Sequence, residues 1–466
     1  MSASAGAGTV VHRDRSFWFD SSAPYAPATP LRGDQAFDVC ILGGGITGLS
    51  TAYHLRKLDP SVSVCILEAE VVGFGASGRN AGQLIVEFGG GSHARQVKTY
   101  GASRVGEALR YVEKGIALLA ELEASESLDF DYARTGYMKV ALRAEGPAAI
   151  ETYARFLRAV GQESAFETLT TAAVEEELSS PLLGPALFDP RGGQFNPLKL
   201  VRGLKAVVER MGARVFEQSP ALHFKLGPGK IRVETGMGGV DCDRLVLATN
   251  AYSHLLAGAR QAGLSRRQIP LIVKGTITEP LSASASSGKV WKRRCGVNVV
   301  SDLFYSFAPT ADGRILHVGG YYATLPANRK FVPEAEWRLK GEGADHLGAF
   351  FPKLANLKTA HTWGGPISLT PDWIPHVGRA SDPRVVFAFG CWGHGMGLGM
   401  HNGVTLAELT LERKTDGTEL WFVTRKKADW PPKPITTFIT NQVVASGRKR
   451  ARAIGATLTP EVTFSV

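Results

Sequence analysis

The sequence has little cysteine and no long apolar run, and these two absences exclude several kinds of protein. None of the five cysteines belongs to a CxxC pair and no Cys/His cluster has zinc spacing, so we expect no metal site and no thiol–disulfide redox chemistry. Unpaired cysteines are typical of a reducing compartment, which predicts a cytoplasmic location. No apolar stretch reaches the roughly 18 residues that a membrane span requires, so we expect no membrane span.

The charge of the chain is unevenly distributed. Half of the formal net charge of +10 lies in residues 414–466, which contain nine Lys or Arg and four Asp or Glu. Because this excess is confined to one tail with two short basic runs, we predict a solvated surface and no nucleic-acid binding. Hydrophobic residues make up 44% and charged residues 21% of the chain, which is typical of a globular protein of two or three structural units at this length of 466 residues.

The apolar pattern near the start of the chain predicts a βαβ unit. A buried-strand pattern, FDVCIL, is followed by three glycines, by the helical spacing of ITGLSTAYHLRKL and by a second strand, SVSVCILEA. Further along, we predict a long helix over residues 92–123, helices over 147–160 and 196–212, a strand-rich block over 266–357 and a last core strand over 384–390.

Helix and strand patterns alternate, give way to the strand-rich block and then resume, which indicates one α/β domain interrupted by an α+β domain. The predicted boundaries are a lead-in over residues 1–33, a first domain over 34–98, 190–265 and 358–415, an inserted domain over 99–189 and 266–357, and a basic tail over 416–466 that packs on the first domain.

The glycines of this βαβ unit have the spacing of a dinucleotide-binding turn. Gly43, Gly45 and Gly48 match GxGxxG between a strand and a helix: the first permits a tight turn, the second lets a pyrophosphate approach the backbone, and the third allows close packing. The helix N-terminus offers free N–H groups to phosphate. Glu68 ends the second strand, 20 residues after Gly48, where an acid accepts hydrogen bonds from a ribose diol and disfavours NADP.

The spacing alone does not distinguish NAD from FAD. However, the fingerprint is followed in order by GFGASGRNAGQ (residues 73–83), LATNAYS (247–253) and FGCWGHGMGLG (389–399). In this arrangement the chain resembles the D-amino acid oxidase superfamily of FAD-dependent oxidoreductases, most closely its γ-glutamylputrescine oxidase-like branch, with glycine and sarcosine oxidases more distant. The resemblance implies an α/β Rossmann-type FAD-binding domain interrupted by an α+β substrate domain with an antiparallel sheet.

The resemblance also implies which residues contact FAD. Ser77, Gly78 and Arg79 would meet phosphate and ribitol oxygens, and residues 80–83 would run beside the flavin ring. The turn at residues 393–397 would lie against the flavin pyrimidine edge. The implied cofactor-binding residues are Gly43, Gly45, Ile46, Thr47, Gly48, Glu68, Ala69, Ser77, Gly78, Arg79, Asn80, Ala81, Gly82, Gln83, Ala221, Thr249, Gly364, Gly393, His394, Gly395, Met396 and Gly397.

Attachment of the cofactor is expected to be non-covalent. Monomeric sarcosine oxidases link flavin to a cysteine shortly before a TxD-like segment, and the matching position here is Gly365, in GGPISLTPD. Cys391 is the remaining alternative for a covalent link.

The reaction implied by the family is oxidation of a primary or secondary amine. Hydride passes from the α-carbon to flavin N5, and the imine product hydrolyses to a carbonyl compound and an amine or ammonia, with O2 or another acceptor taking the electrons. His394, Tyr305, Tyr321 and Trp363 are the candidate catalytic residues. Many relatives carry an arginine where this chain has Ser306, so a carboxylate-clamped α-amino acid is disfavoured and a γ-glutamylputrescine-like or other N-substituted amine is favoured.

Three alternatives stay open at this stage. The first is an oxidase or dehydrogenase of D-amino acids, glycine or sarcosine. The second is an NAD-dependent dehydrogenase, which would leave the segments at 73–83 and 389–399 unexplained. The third is a flavoprotein without catalysis. The sequence does not separate oxidase from dehydrogenase, and it does not predict an oligomeric state.

Overall fold

The computed structural model describes residues 16–281, 291–300, 305–324, 347–354, 358–432, 434–442 and 445, with the side chains of 320–324 excepted. The helices are α1 (Phe17–Asp20), α2 (Ile46–Leu58), α3 (His93–Tyr100), α4 (Ala102–Ser125), α5 (Pro147–Ala159), α6 (Thr171–Leu178), α7 (Pro197–Arg210), α8 (Gly395–Thr410) and α9 (Trp421–Thr424). Residues 347–350 and 434–442 are also helical. Within these ranges, no helix combines the length and the apolar character needed to cross a membrane.

The strands divide between two large sheets and one small one. They are β1 (Gly33–Leu42), β2 (Val64–Leu67), β3 (Gln83–Leu84), β4 (Tyr137–Leu142), β5 (Glu167–Leu169), β6 (Leu183–Asp189), β7 (Gly193–Gln194), β8 (Arg214–Phe216), β9 (His223–Leu226), β10 (Ile231–Thr235), β11 (Gly238–Leu247), β12 (Ile269–Thr278), β13 (Gly296–Val299), β14 (Tyr305–Pro309), β15 (Ile315–Thr324), β16 (Thr359–Leu369), β17 (His376–Arg379) and β18 (Val385–Phe389).

The first sheet is parallel at its centre. Its strands follow the order β17-β18-β11-β1-β2-β8, and β10 and β9 extend it beside β11. Strand β1 pairs in parallel with β2 and with β11, so that Leu42 lies opposite Leu67 and Leu247. Because the carboxyl ends of parallel strands meet at one edge, the residues after these strands gather there, which is where open α/β sheets bind ligands.

The second sheet is almost entirely antiparallel. Its order is β16-β12-β15-β14-β13-β4-β6-β5, and only the β13–β4 pair in it is parallel. This pair of sheets confirms the predicted fold class of an α/β domain interrupted by an α+β domain. One predicted boundary differs from the pairing: residues 358–415 were assigned to the first domain, but β16 pairs with β12 along its length. The chain therefore returns to the first sheet only after Leu369, and the other boundaries stay predictions.

Helix α8 packs on α2 and α4 and covers one face of the first sheet. The approach of α8 to α2 requires a glycine, because a Cβ at Gly403 would overlap the Ser50 side chain. The single long helix predicted over residues 92–123 is instead two helices, α3 and α4. Gly101 separates them with a φ of +87°, a left-handed value that ends a helix and that glycine adopts without strain.

The described part of the lead-in is folded into the body of the protein. Phe17, Trp18 and Phe19 of α1 are buried. The Ser16 hydroxyl donates a hydrogen bond to the carbonyl oxygen of Gly78 (2.6 Å), and Trp18 Nε1 donates to that of Asn80 (2.9 Å). The segment thus supports the loop at residues 73–83.

Candidate active site

A cavity of about 750 Å³ runs from the carboxyl edge of the first sheet to the second sheet. Its size lies within the usual range for small-molecule sites. We call the part formed by Gly43, Gly45, Glu68 and Ser77 the glycine end, and the part formed by Gln83, Asn298 and Ser306 the amide end. The predicted residues that line it are Gly43, Gly45, Ile46, Thr47, Glu68, Ala69, Ser77, Arg79, Asn80, Ala81, Gln83, Ala221, Thr249, Gly393, His394, Gly395, Met396 and Gly397.

The turn between β1 and α2 has no room for side chains. Gly43 has a φ of +107°, and a Cβ there would lie 2.8 Å from the carbonyl oxygen of Ala248. A Cβ on Gly45 would lie 2.9 Å from Ser77 Oγ, and one on Gly48 would overlap the Gly43 carbonyl. The backbone is therefore bare where α2 begins, as a bound pyrophosphate requires. Gly48 itself does not line the cavity, and its role is close packing.

Glu68 closes the glycine end directly after β2. Its Oε2 accepts a hydrogen bond from the Gly44 N–H (2.7 Å), and its Oε1 accepts one from the Glu70 N–H (3.0 Å). Burial raises the pKa of this carboxyl to about 7, and the two backbone hydrogen bonds oppose that rise. The carboxyl is thus held on the cavity wall by backbone donors, in the position predicted for ribose recognition.

The loop at residues 73–83 contacts the turn between β1 and α2. Ser77 Oγ accepts a hydrogen bond from the Ile46 N–H in the first turn of α2 (2.9 Å). Asn80 Oδ1 accepts one from the Gly82 N–H (2.8 Å) and shapes the end of the loop. Gly78 and Gly82 do not line the cavity, because they pack against the Gly73 and Phe195 backbones, where a Cβ would overlap.

Arg79 is buried and bound to carbonyl groups. Its Nε donates to the Phe74 oxygen (2.6 Å), its Nη1 donates to the Gly364 oxygen (3.1 Å), and its guanidinium lies over the Phe74 ring at 4.7 Å. These two carbonyl oxygens and the Phe74 ring help to hold the guanidinium on the cavity wall. The predicted contact of Arg79 with phosphate stays a prediction, and Gly364 contributes its carbonyl to Arg79 rather than to the cavity lining.

The amide end is a network of neutral side chains. Gln83 Nε2 donates to Ser306 Oγ (2.9 Å) and to the Phe307 oxygen (3.1 Å), while Asn298 Nδ2 donates to Gln83 Oε1 (3.1 Å). Asn298 was not predicted as a site residue. Its sequence signal is a single amide inside the apolar run GVNVV, in strand β13.

The turn before α8 forms the remaining wall. His394 caps the helix, and its Nε2 lies 3.8 Å from Glu87 Oε2. Burial lowers the pKa of His394 to about 4 although Glu87 opposes this, so the ring is neutral at pH 7. Glu87 is buried and forms an ion pair with Lys139, which helps to hold the pKa of Glu87 near 2. Neither Glu87 nor Lys139 was predicted as a site residue, because each is a single charged residue in an apolar strand-like run.

The predicted aromatic residues are not part of the described wall. Tyr305 is adjacent to Ser306 in β14, and because side chains alternate along a strand, Tyr305 packs into the core with Phe350. Trp363 is 2% exposed and donates through Nε1 to the Arg79 carbonyl oxygen (2.9 Å), so it supports the loop from behind. Tyr321 belongs to β15, and its side chain lies outside the described residues.

Two positions bear on a covalent link between the protein and a cofactor, and the expectation of non-covalent attachment stays a prediction. Gly365 lines the cavity at the position where a linking cysteine was considered, and Cys391 lines it near the α8 turn. The Asn250 side chain donates to Cys391 Sγ at 3.2 Å. All five cysteines are free thiols, and no metal-binding cluster of His, Cys, Asp or Glu is found in the part of the chain that the structure describes.

Comparison with known proteins identifies relatives along most of the chain. The family model described as DAO, FAD dependent oxidoreductase, matches residues 38–409. The chain is 31% identical over 402 residues to gamma-glutamylputrescine oxidoreductase of Escherichia coli (84% of this chain, 88% of the relative). It is 29% identical over 400 residues to the probable oxidoreductase OrdL of Haemophilus influenzae (85% and 88%).

Solved structures show the same fold. Glycine oxidase from Geobacillus kaustophilus superposes with a TM-score of 0.69 at 21% identity, over 84% of this chain and 100% of that one. L-proline dehydrogenase from P. horikoshii superposes with a TM-score of 0.67 at 20% identity, over 84% and 97%.

Proposed function

The chain belongs to the DAO family of FAD-dependent oxidoreductases, and from this premise we propose that it oxidises the C–N bond of a primary or secondary amine. The observation that carries the choice of an amine is the amide end of the cavity. Among the described lining residues, Arg79 is the one permanent cation, and two carbonyl oxygens hold it. The amide end therefore offers neutral hydrogen-bonding groups where a carboxylate would require a positive charge.

The cavity fits FAD as the cofactor of the family. Glu68 would hold the adenosine ribose, the bare turn at Gly43 and Gly45 with the start of α2 would hold the pyrophosphate, and residues 80–83 and 393–397 would border the flavin. When bound, FAD supplies the acceptor for the hydride that leaves the α-carbon of the amine. We propose non-covalent binding, because Gly365 offers no thiol for a link.

The residues of the chain position the substrate and set the electrostatics around it. Gln83, Asn298 and Ser306 fix one another by hydrogen bonds, so the amide end presents a preformed polar surface. The first N–H groups and the dipole of α8 favour negative charge at its start. His394 is neutral at pH 7 and does not repel an incoming ammonium group. The substrate loses a proton before oxidation and yields an imine, which water hydrolyses after release.

The substrate class is proposed as a γ-glutamylputrescine-like or other N-substituted amine. Ser306 at the amide end and the name of the Escherichia coli relative support this choice. The second candidate is a simple amino acid, which the name of the structural neighbour glycine oxidase favours. O2 or another acceptor would reoxidise the enzyme, and we propose a cytoplasmic location, which the free thiols support.

An anaerobic substrate panel tests the proposal. The purified yellow protein is mixed with γ-glutamylputrescine, putrescine, sarcosine, glycine and D-alanine, and loss of flavin absorbance is followed. We expect γ-glutamylputrescine to bleach the flavin faster than the other four compounds. Repeating the turnover with peroxide detection and with an artificial acceptor separates oxidase from dehydrogenase. Bleaching by amino acids alone would favour the second candidate, and bleaching by none of these compounds would contradict amine oxidation.

A further inference from the structure

A second cavity, of about 580 Å³, lies beside the end of α8 and strand β17. Helix α8 begins at the active-site cavity with Gly395 and reaches this second cavity with Leu409. The rise of about 1.5 Å per residue places these two residues about 21 Å apart along the helix, so the two cavities are separate. We call the second one the basic cavity, because seven cationic residues line it: Arg267, Arg379, Arg413, Lys414, Arg425, Lys426 and Lys427.

The positive charges of the basic cavity exceed the negative charges around it. Two carboxylates, Glu412 and Glu419, also line the cavity. Two more, Asp372 and Asp429, form ion pairs with two of the lining arginines. Because seven cations meet these four carboxylates, at least three positive charges are left without a matching negative charge among these groups. Such an excess attracts anions into a cleft.

Lys427 is the lining cation that lacks an acidic partner most clearly. Its Nζ donates to a backbone carbonyl oxygen and forms no ion pair within the described residues. The chain makes room for this ammonium group at Gly378, where a Cβ would lie 2.9 Å from Lys427 Nζ. Burial, followed by the charges of Arg425 and Arg267, lowers the pKa of Lys427 to about 7, and Asp372 opposes this only in part. An anion beside Lys427 would therefore stabilise its charged form.

Arg425 has N–H groups that the described residues leave without an acceptor. Its Nη1 lies 2.6 Å from Asp372 Oδ2, but its Nε and Nη2 are buried and form no hydrogen bond within the described part of the chain. Buried N–H groups without an acceptor destabilise a folded protein. Arg425 and Lys427 line the same cavity, so a ligand with several oxygen atoms would bring acceptors and negative charge to both side chains.

Other lining residues show which parts of the basic cavity are structural and which are open. Arg379 Nη2 donates to the Leu409 carbonyl oxygen (2.7 Å), so Arg379 also completes the end of α8. Lys414 and Lys426 are exposed, and their ammonium groups are free to meet a ligand from solvent. The buried Phe387 adds an apolar part to the wall, which an organic group can contact.

We propose that the basic cavity binds a phosphate group that carries two negative charges. Such a group offsets most of the charge excess, and its oxygen atoms accept hydrogen bonds from Arg and Lys side chains. A small phosphate monoester fits a cavity of this size, and free inorganic phosphate presents the same chemical group. The site is distinct from the active-site cavity, so its occupation does not depend on the substrate proposed above.

Isothermal titration calorimetry of the full-length flavin-loaded protein tests this proposal, because bound FAD would occupy the pyrophosphate site of the active-site cavity. Inorganic phosphate, glycerol 3-phosphate and acetate are titrated at constant ionic strength. We expect a Kd below about 1 mM for at least one phosphate compound and at least tenfold weaker binding of acetate. Tighter binding of glycerol 3-phosphate would support a monoester as the ligand, and tighter binding of inorganic phosphate would support the free ion. Equal binding of acetate, which indicates an adventitious ion only, or no binding of either phosphate compound would overturn the proposal.

Two variants with a matched control locate the phosphate. Lys427→Met keeps a side chain of similar length and removes the charge, and we expect at least tenfold weaker binding of phosphate. Lys426→Gln changes an exposed side chain that the fold does not require, and we expect binding to weaken several-fold. Lys225→Gln, on β9 outside the basic cavity, should bind normally, and amine turnover should be unchanged in all three. Unchanged affinity in both cavity variants would place the phosphate elsewhere and overturn the proposal.

Discussion

The two ends of the active-site cavity are built from different parts of the chain and by different chemistry. At the glycine end, backbone N–H groups of Gly44 and Ile46 meet the side chains of Glu68 and Ser77, with separations of 24 and 31 residues. At the amide end, Gln83 meets Asn298 and Ser306 across 215 and 223 residues, through side chains alone.

Under the proposed function, we expect the glycine end to determine affinity for FAD and the amide end to determine selectivity for the substrate. As proposed, the bare backbone and Glu68 of the glycine end meet the phosphates and ribose that every FAD molecule carries, and this backbone tolerates change as long as no Cβ is added. A surface of side chains on strands of the second sheet changes its chemistry with each substitution while the fold persists. Cofactor retention and substrate choice should therefore respond to separate mutations.

The largest expected effect tests the glycine end. In Gly45→Ala the new Cβ would lie 2.9 Å from Ser77 Oγ and occupy the approach to α2. We expect FAD affinity to fall by about 100-fold, which corresponds to about 2.7 kcal/mol. The ratio of flavin to protein absorbance and a fluorescence titration measure this. Gly236→Ala, where a Cβ would meet nothing within 4 Å, is the control. Full flavin content in Gly45→Ala would contradict the assignment.

A pH series sharpens the role of Glu68. Its pKa is raised from 4.5 to about 7 in the folded protein, so the protonated carboxyl favours folding below pH 4.5 and this advantage is lost as pH rises through 7. Measured relative to a Glu68→Gln variant, the thermal midpoint of the flavin-free protein should fall between pH 5 and pH 8, by a stability change on the order of 2 kcal/mol.

Glu68→Gln is the matched control for this series, because it cannot ionise. The buried His54 and His394, whose pKa values are lowered to about 4, titrate in both proteins, so the difference between the two thermal midpoints isolates the contribution of Glu68. FAD should bind the unmodified protein more tightly as pH rises, because the ribose hydroxyls donate to the ionised form. A pH profile identical in the two proteins would show that Glu68 is not the titrating group.

A substitution at the amide end should change turnover and spare the cofactor. Asn298→Leu removes the donor to Gln83 and leaves that partly buried amide oxygen without this bond. We expect kcat/KM to fall about tenfold, or about 1.4 kcal/mol, with unchanged flavin content. Gln194→Leu, which removes an amide bonded to Thr135 outside the cavity, should leave kcat/KM unchanged. Flavin loss in Asn298→Leu would contradict the expectation that cofactor retention and substrate turnover depend on different ends of the cavity.

The smallest expected effect concerns Trp363, which supports the loop between the two ends. Trp363→Phe keeps the ring packed and removes the hydrogen bond to the Arg79 oxygen. Stability should fall by about 1 kcal/mol, with kcat changed less than about twofold. Thermal unfolding and steady-state kinetics give both values. A large loss of kcat in a variant that keeps its full flavin content would indicate that Trp363 takes a direct part in catalysis.

The sequence predicted the glycine end well because its parts are local. The strand, the glycines and Glu68 lie within one βαβ unit, whose two strands pair in parallel with Leu42 opposite Leu67. The amide end depends on which strands of the second sheet pair, and neither the contact of Gln83 with Asn298 nor the ion pair of Glu87 with Lys139 has a local pattern.

The aromatic candidates show a further limit of prediction from the sequence. Tyr305 and Ser306 are neighbours in sequence, but a strand turns them to opposite faces, and the serine reaches the cavity. Tyr305 is a catalytic candidate from the family resemblance, whereas the face that each residue takes depends on the pairing of β14 with β13 and β15.

The packing of α8 on α2 has a consequence for the stage of synthesis at which the cavity is complete. The wall at residues 393–397 is synthesised some 350 residues after Gly43, and Ser50 of α2 donates to the Met400 oxygen of α8 (2.7 Å) only when both are present. A chain still on the ribosome presents the glycine turn early but lacks this wall. Because residues 393–397 are proposed to border the flavin, we expect a chain truncated before α8 not to retain the cofactor.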